Sequence, residues 1–204
     1  MRKTTIMLIS LAFLIANPNL LMADNQKKCI PNQNLAEGPY YLPTSERAKL
    51  DIKEKGHSIE VKITIVNERC EPLKGLKVSL WHNNALGNYS TSDGNLILEL
   101  RGYQYTDING SVKFKTILPG WYPGRAPHIH IKILDKDKTL LTSQIFFKQS
   151  TIDTLYKKYP YKKRGTADTN LLTDSIFNST KNKDKYLLNN TSKNLFTTKI
   201  TIAK

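Results

Sequence analysis

The sequence predicts an all-β chain, a β-sandwich with long loops and little helix. Short runs alternate apolar and polar residues with period two, turn-forming residues separate them, and helical periodicity is nearly absent. In chain order, residues 58–66 (Ser-Ile-Glu-Val-Lys-Ile-Thr-Ile-Val) read as a half-buried strand. Residues 75–82 place Leu76, Val78 and Leu80 on one face of a second. Asp107-Ile-Asn-Gly110 is turn chemistry that leads into a strand over 111–116. Two more strands, 128–134 and 140–147, flank the turn at 135–138, and 199–203 reads as the last. Only 151–159 suits a helix, of about two turns, stopping before Pro160. From 166 to 192 the chain is rich in Asn, Lys, Ser, Thr and Asp, which predicts a long polar excursion over the surface.

A chain of 204 residues, 39% hydrophobic, is long enough to close a core and short enough for one domain. Its 31 Lys and Arg against 17 Asp and Glu give a net charge of +14. The basic residues are scattered and often alternate with acids, and no nucleic-acid module is present, so nucleic acid is not an expected partner. The densest cluster, Lys157-Lys158 with Lys162-Lys163-Arg164, reads as a solvated basic face. Residues 1–23 have the form of a secretory signal peptide: Arg2 and Lys3, an apolar run, and the small Ala23 before Asp24. An uncleaved anchor is the alternative, for which the apolar run is short. The remaining 24–204 is then a single secreted or periplasmic domain with no stable membrane span. In such a compartment two cysteines invite one bridge, Cys29–Cys70, closing a loop of roughly 40 residues.

The chemistry concentrates in Leu118-Pro-Gly-Trp-Tyr-Pro-Gly-Arg-Ala-Pro-His-Ile-His-Ile-Lys-Ile133. On a strand His128 and His130 point to one face while Ile129, Ile131 and Ile133 point to the other. Two imidazoles so placed form a metal-binding pair, although buried structural histidines show the same spacing. No Cys, Asp or Glu lies in the segment and no His-Glu-x-x-His helix exists, which counts against a zinc hydrolase. Tyrosine does lie nearby: Tyr122 six residues before His128, and Tyr89 in the loop after Trp81-His82. Phenolates are hard anionic donors suited to Fe(III), and both the metal and a cation such as Arg125 would lower the pKa of a tyrosine. Half-buried loop aromatics are the plainer reading of both tyrosines.

These residues resemble the intradiol ring-cleavage dioxygenases, in their secreted single-domain branch. The resemblance runs through Glu37-Gly-Pro-Tyr-Tyr41, Cys70-Glu-Pro-Leu, the stretch from Val78 to Ser90 and Arg101-Gly-Tyr-Gln-Tyr. It is strongest from Phe114 to His130, and fades through Ser143-Gln-Ile-Phe-Phe147, Arg164-Gly and Asp168-Thr-Asn170. It implies a non-haem Fe(III) held by Tyr89, Tyr122, His128 and His130. Tyr122 is then the ligand a bound catechol displaces, its phenolate taking up a substrate proton. Arg125 would stabilise negative charge on the ring, with Gln144 a polar residue beside that arginine. The implied reaction adds both atoms of O2 to a catechol or related vicinal diphenol and gives a muconate-type diacid, with no organic cofactor. A homodimer is compatible with this reading. Pro123 and the Asn-rich 181–193 stretch look particular to this chain, and the N-terminal helical segment of the cytosolic catechol-cleaving members has no counterpart here.

A rival class is a non-catalytic β-sandwich module for binding or adhesion, since residues 106–122 also resemble the repeat of such domains. Those modules need the turn, the Phe and the Pro-Gly-x-Tyr, but not Arg125, His128 and His130. An iron-binding relative without turnover is a third reading. Among lesser features, Tyr40 reads as a turn and packing residue that could wall a pocket. His57 reads as solvated, and His82 as a strand-end histidine rather than a ligand.

Overall fold

The computed structural model describes residues 28–50, 55–90 and 99–204; the signal peptide expected over 1–23 lies outside them. Eight strands follow in order: β1 (Ser58–Val66), β2 (Lys77–Trp81), β3 (Arg101–Tyr105), β4 (Ser111–Ile117), β5 (His128–Asp135), β6 (Lys138–Phe147), β7 (Leu187–Ser192) and β8 (Leu195–Thr201). Two short helices, α1 (Gln149–Leu155) and α2 (Ser175–Asn178), precede β7, so the chain is mostly β with little helix, as the alternation predicts.

The strands run β3-β2-β5-β6-β7-β8-β1-β4 and fold into two layers. One layer is β3-β2-β5-β6, the other β7-β8-β1-β4. They join where β6 pairs in parallel with β7 at Phe146–Leu187 and Phe147–Leu188. The other neighbours are antiparallel, apart from β1 and β8. Period two decides what goes inside. Ile59, Val61, Ile63 and Ile65 of β1 meet Val78 and Leu80 of β2, Phe114 of β4, and Ile129, Ile131 and Ile133 of β5 in one buried cluster. Each such side chain contributes roughly 1.5–3 kcal/mol on burial.

Two strands escape the sequence pattern. β3 (Arg-Gly-Tyr-Gln-Tyr) has no alternating aliphatic residues, and it is held as the outermost strand by pairing with β2. β7 buries only Leu188; it forms because β8 offers it a hairpin partner. Both lie in or beside the polar stretches where tertiary pairing overrides local preference. The 166–192 segment turns Asp174, Phe177, Tyr186 and Leu188 inward among its polar residues. His57 differs from its solvated expectation: it is half-buried, and its Nε2 meets Asn194 Oδ1 at 2.9 Å.

A second, smaller apolar cluster forms on the outer face of the first layer. It joins Ala126, Phe146, Phe177 and Tyr186, with Leu35 and Ile176 packed against it. The strap 29–41 runs over this face. Cys29 is bridged to Cys70, 41 residues apart in sequence, and the loop closure is worth about 3–4 kcal/mol. Further along, Leu35 N donates to Thr142 O at 2.8 Å, and Lys132 pairs with Glu37 at 2.7 Å. Strap, sheet face and the 171–187 segment thereby enclose a space that the two layers alone would leave open.

Candidate active site

The site lies on that outer face, at the central strand of its layer. His128 and His130 leave β5 on the side opposite Ile129 and Ile131, and each is paired across the ladder with β6: His128 with Phe146, His130 with Gln144. On the other side Trp81 of β2 stands opposite His130 and stacks on it, with ring centroids 4.9 Å apart and planes 9° from parallel. Both imidazoles are buried, and their Nε2 atoms are 3.1 Å apart.

Two loops deliver the tyrosines. In the first, Asn84 Oδ1 accepts from Leu86 N (2.9 Å) and Asn88 N (3.1 Å), closing a tight turn that ends at Tyr89. In the second, Tyr122-Pro-Gly-Arg125 is a turn in which Arg125 N donates to Tyr122 O at 3.2 Å. Pro at the second place and Gly124, with φ +80°, at the third are the requirements of a type II turn. Pro123 thus brings Tyr122 and Arg125 side by side. The two loops touch backbone to backbone at Gly120, where a Cβ would sit 2.5 Å from Ala85 O. Gly120 N donates to Asn84 O, and Asn83 Nδ2 donates to Gly120 O.

The four donors of the sequence reading therefore come together. Tyr122 Oη is 3.3 Å from His128 Nε2, and the Tyr89 ring lies 6.0 Å from that of Tyr122 and 6.3 Å from that of His130. Tyr40 stacks on Tyr89 at 4.2 Å, so the Glu37-Gly-Pro-Tyr-Tyr41 turn supplies both packing and a wall. Tyr89, Tyr122 and His130 line a cavity of 330 Å³ together with Tyr40, Arg125, Gln144 and Ile176, and His128 stands behind them, against Tyr122 and His130. A larger groove of 760 Å³ beside α1, lined by Lys157 and Lys162, contains none of the four.

The electrostatics suit a cation. Burial pulls His128 down to about 3, and His130 also falls well below its usual value through burial and the neighbouring His128. Both rings are therefore neutral at pH 7. His128 Nδ1 donates to Ala126 O at 2.7 Å, which leaves the Nε2 lone pair aimed at the cluster. Burial also raises both phenols, and for Tyr122 it outweighs the opposing pull of Arg125. The chain alone thus keeps the tyrosines protonated, so Arg125 does not ionise them unaided. A bound cation would supply what is missing. Two imidazole nitrogens and two phenol oxygens converging on one point fit a hard trivalent metal better than zinc. Because two donors are phenols, no group of three His, Cys, Asp or Glu forms among the described residues.

Arg125 lines the cavity with its Nη2 2.5 Å from Gln144 Oε1, so the two residues that the family resemblance put side by side are in contact. Sequence reasoning missed its other partner. Asp174, wholly buried, accepts from Arg125 Nε at 2.9 Å. The only local signal was an Asp heading Ser-Ile-Phe-Asn, a helix-cap pattern that says nothing of a partner 49 residues away. Arg101 was also missed as a site neighbour. It is buried, it donates to Tyr40 O, and its guanidinium lies 5.8 Å from the Tyr89 ring centre.

His82 stands apart from the cluster. Its Nδ1 meets Asn83 O and its Nε2 meets Thr116 Oγ1, both at 2.7 Å, and burial lowers it to about 4. Below pH 6.5 the unfolded chain takes up this proton and the folded chain does not. The stability it contributes is complete above 6.5 and is lost as pH falls toward 4, at about 1.4 kcal/mol per pH unit. His82→Asn is expected to flatten the pH dependence of the urea midpoint by that amount. An unchanged slope would show that the ring protonates in place.

Comparison with known proteins decides the family. The family model described as Dioxygenase matches residues 36–157, a span that holds all four donors, Arg125 and Gln144. The chain belongs to the intradiol ring-cleavage dioxygenase family. Catechol 1,2-dioxygenase 2 of Acinetobacter lwoffii is 34% identical over 92 residues, 42% of this chain and 34% of that protein. The matched part thus spans about a third of that curated relative's length. An intradiol ring-cleavage dioxygenase from Tetranychus urticae superposes with a TM-score of 0.78 at 29% identity, covering 86% of this chain and 95% of that one. The dioxygenase domain of a carbohydrate-binding fusion from Streptomyces sp. SirexAA-E does so at 0.65 and 26% identity, covering 85% and 99%.

Proposed function

We propose that this family member holds Fe(III) through Tyr89, Tyr122, His128 and His130 and cleaves a catechol or related vicinal diphenol with O2. The bond between the two hydroxylated carbons breaks, both oxygen atoms enter the product, and a muconate-type diacid results. The observation that carries this reading is the convergence of two phenols and two neutral imidazoles beside a cavity that Tyr89, Tyr122, His130 and Arg125 line.

Iron, when bound, supplies the Lewis acidity that ionises the phenols and polarises a chelating catechol. The chain's own groups do the rest. Tyr122 is the less buried of the two tyrosines and borders the cavity, so its phenolate oxygen is placed to take up a proton from an incoming hydroxyl. Arg125 sets a fixed positive charge where negative charge builds on the ring, in a cavity walled by Tyr40, Ile176 and the strap. The signal-like leader and the Cys29–Cys70 bridge support export. Among the described residues no helix is long and apolar enough to cross a membrane.

Iron content and a visible spectrum of the purified chain, beside Tyr122→Phe, test the proposal. About one iron per chain and a broad tyrosinate band that weakens or shifts in the variant are expected, followed by oxygen uptake with at least one catechol. A colourless protein after aerobic iron loading would return the chain to the binding-module reading. Colour without uptake across a catechol panel would leave an iron-binding protein without turnover.

A further inference from the structure

We propose that Asp174 is a positioning residue: it fixes which edge of the Arg125 guanidinium faces a bound catechol, an inference that rests on the function proposed above. Its two carboxylate oxygens are divided between tasks. Oδ1 accepts from Phe177 N at 2.9 Å and so begins α2. Oδ2 accepts from Arg125 Nε at 2.9 Å and from Ala126 N at 2.8 Å. The carboxylate is fully buried, while the Arg125 side chain keeps 15% exposure on the cavity side.

The guanidinium is therefore held at two of its three nitrogens. Asp174 takes Nε, and Gln144 takes Nη2 while its own Nε2 is tied to Ala36 O of the strap at 2.8 Å. Neither contact uses Nη1. A planar fork held this way cannot rotate about its long stem without breaking a buried charge-assisted bond. The bond to Ala126 N also fixes the backbone midway between Tyr122 and His130. Because α2 carries Ile176 into the cavity lining, the same carboxylate sets an apolar wall and the charge beside it.

Asp174 could instead serve only as a helix cap, and asparagine separates the two roles. An amide has one acceptor and one donor end. With its oxygen on Phe177 N it caps as well as Asp, and its NH2 then meets two donors, Arg125 Nε–H and Ala126 N–H. Asp174→Asn thus keeps the cap and releases the arginine; Asp174→Ser, also a good cap, does the same should the first variant fold poorly.

In the iron-loaded full chain, Asp174→Asn is expected to lower kcat by about 10- to 100-fold, the scale of a 1 Å misplacement, with KM changed less than about threefold. In an Arg125→Ala background the same substitution should cost no further rate, because its effect passes through the arginine. Wild-type turnover in both cap-preserving variants, or an equal loss in both backgrounds, would overturn the proposal. A second readout is independent of turnover. The Arg125 Nε–H resonance in the iron-free full chain should be protected from exchange in the wild type and lost in both variants; its persistence there would also overturn it. If no catechol is turned over by the wild type, the proposed function fails, and that resonance alone decides the positioning.

Discussion

Replacing His130 with alanine is expected to yield a folded chain that retains far less than one iron, stays colourless and turns over at most about a thousandth as fast. Removing groups that merely support a metal ligand costs roughly 10- to 100-fold in affinity, so losing a donor should exceed that. A bound metal contributes several kcal/mol of charge stabilisation, and each 1.4 kcal/mol is about tenfold in rate. Folding should survive. The His130 Nδ1 has no hydrogen-bond partner among the described residues, and its Nε2 faces another neutral imidazole, so the ring is held mainly by its stack on Trp81. His82→Asn is the matched control. That ring is as buried, but both its nitrogens are spent on Asn83 and Thr116. Iron per folded chain should stay near one. Full iron in the His130 variant, or loss in the His82 variant, would show that the donor set is drawn wrongly.

What the sequence made legible followed from local rules. Period-two alternation found β1, β2, β4, β5 and β6, because on these strands one face is aliphatic and continuous. The same rule put His128 and His130 together on one face, and proximity in sequence brought Tyr122 and Arg125 to them. What escaped notice depends on contacts between distant segments. β7 is polar, and it exists because β6 and β8 flank it. Asp174 sits in a stretch whose composition reads as solvated, yet it is the buried counter-charge of Arg125. The family match ends at residue 157, short of it. The balance at Tyr122 also needed the structure: Arg125 does pull its phenol down, as the sequence suggests, but burial, invisible in the sequence, outweighs that charge.

Arg125→Ala should lose both rate and stability, and the two losses can be separated. A preorganised charge at a site of developing negative charge is worth about 10²–10³ in kcat, so a fall of that size is expected with KM affected less. Stability should drop by roughly 3–5 kcal/mol, read from the urea midpoint at pH 7, because Asp174 is left buried without its cation. Only the amides of Ala126 and Phe177 would still meet it. Arg125→Lys keeps a positive charge but lacks the fork that reaches Asp174 and Gln144 together, so it should recover part of the stability and little of the rate. Adding Asp174→Asn to Arg125→Ala removes the stranded charge: stability should return while kcat stays at the level of the single variant. A double variant no more stable than Arg125→Ala would show that the stranded carboxylate is not what destabilises the single variant.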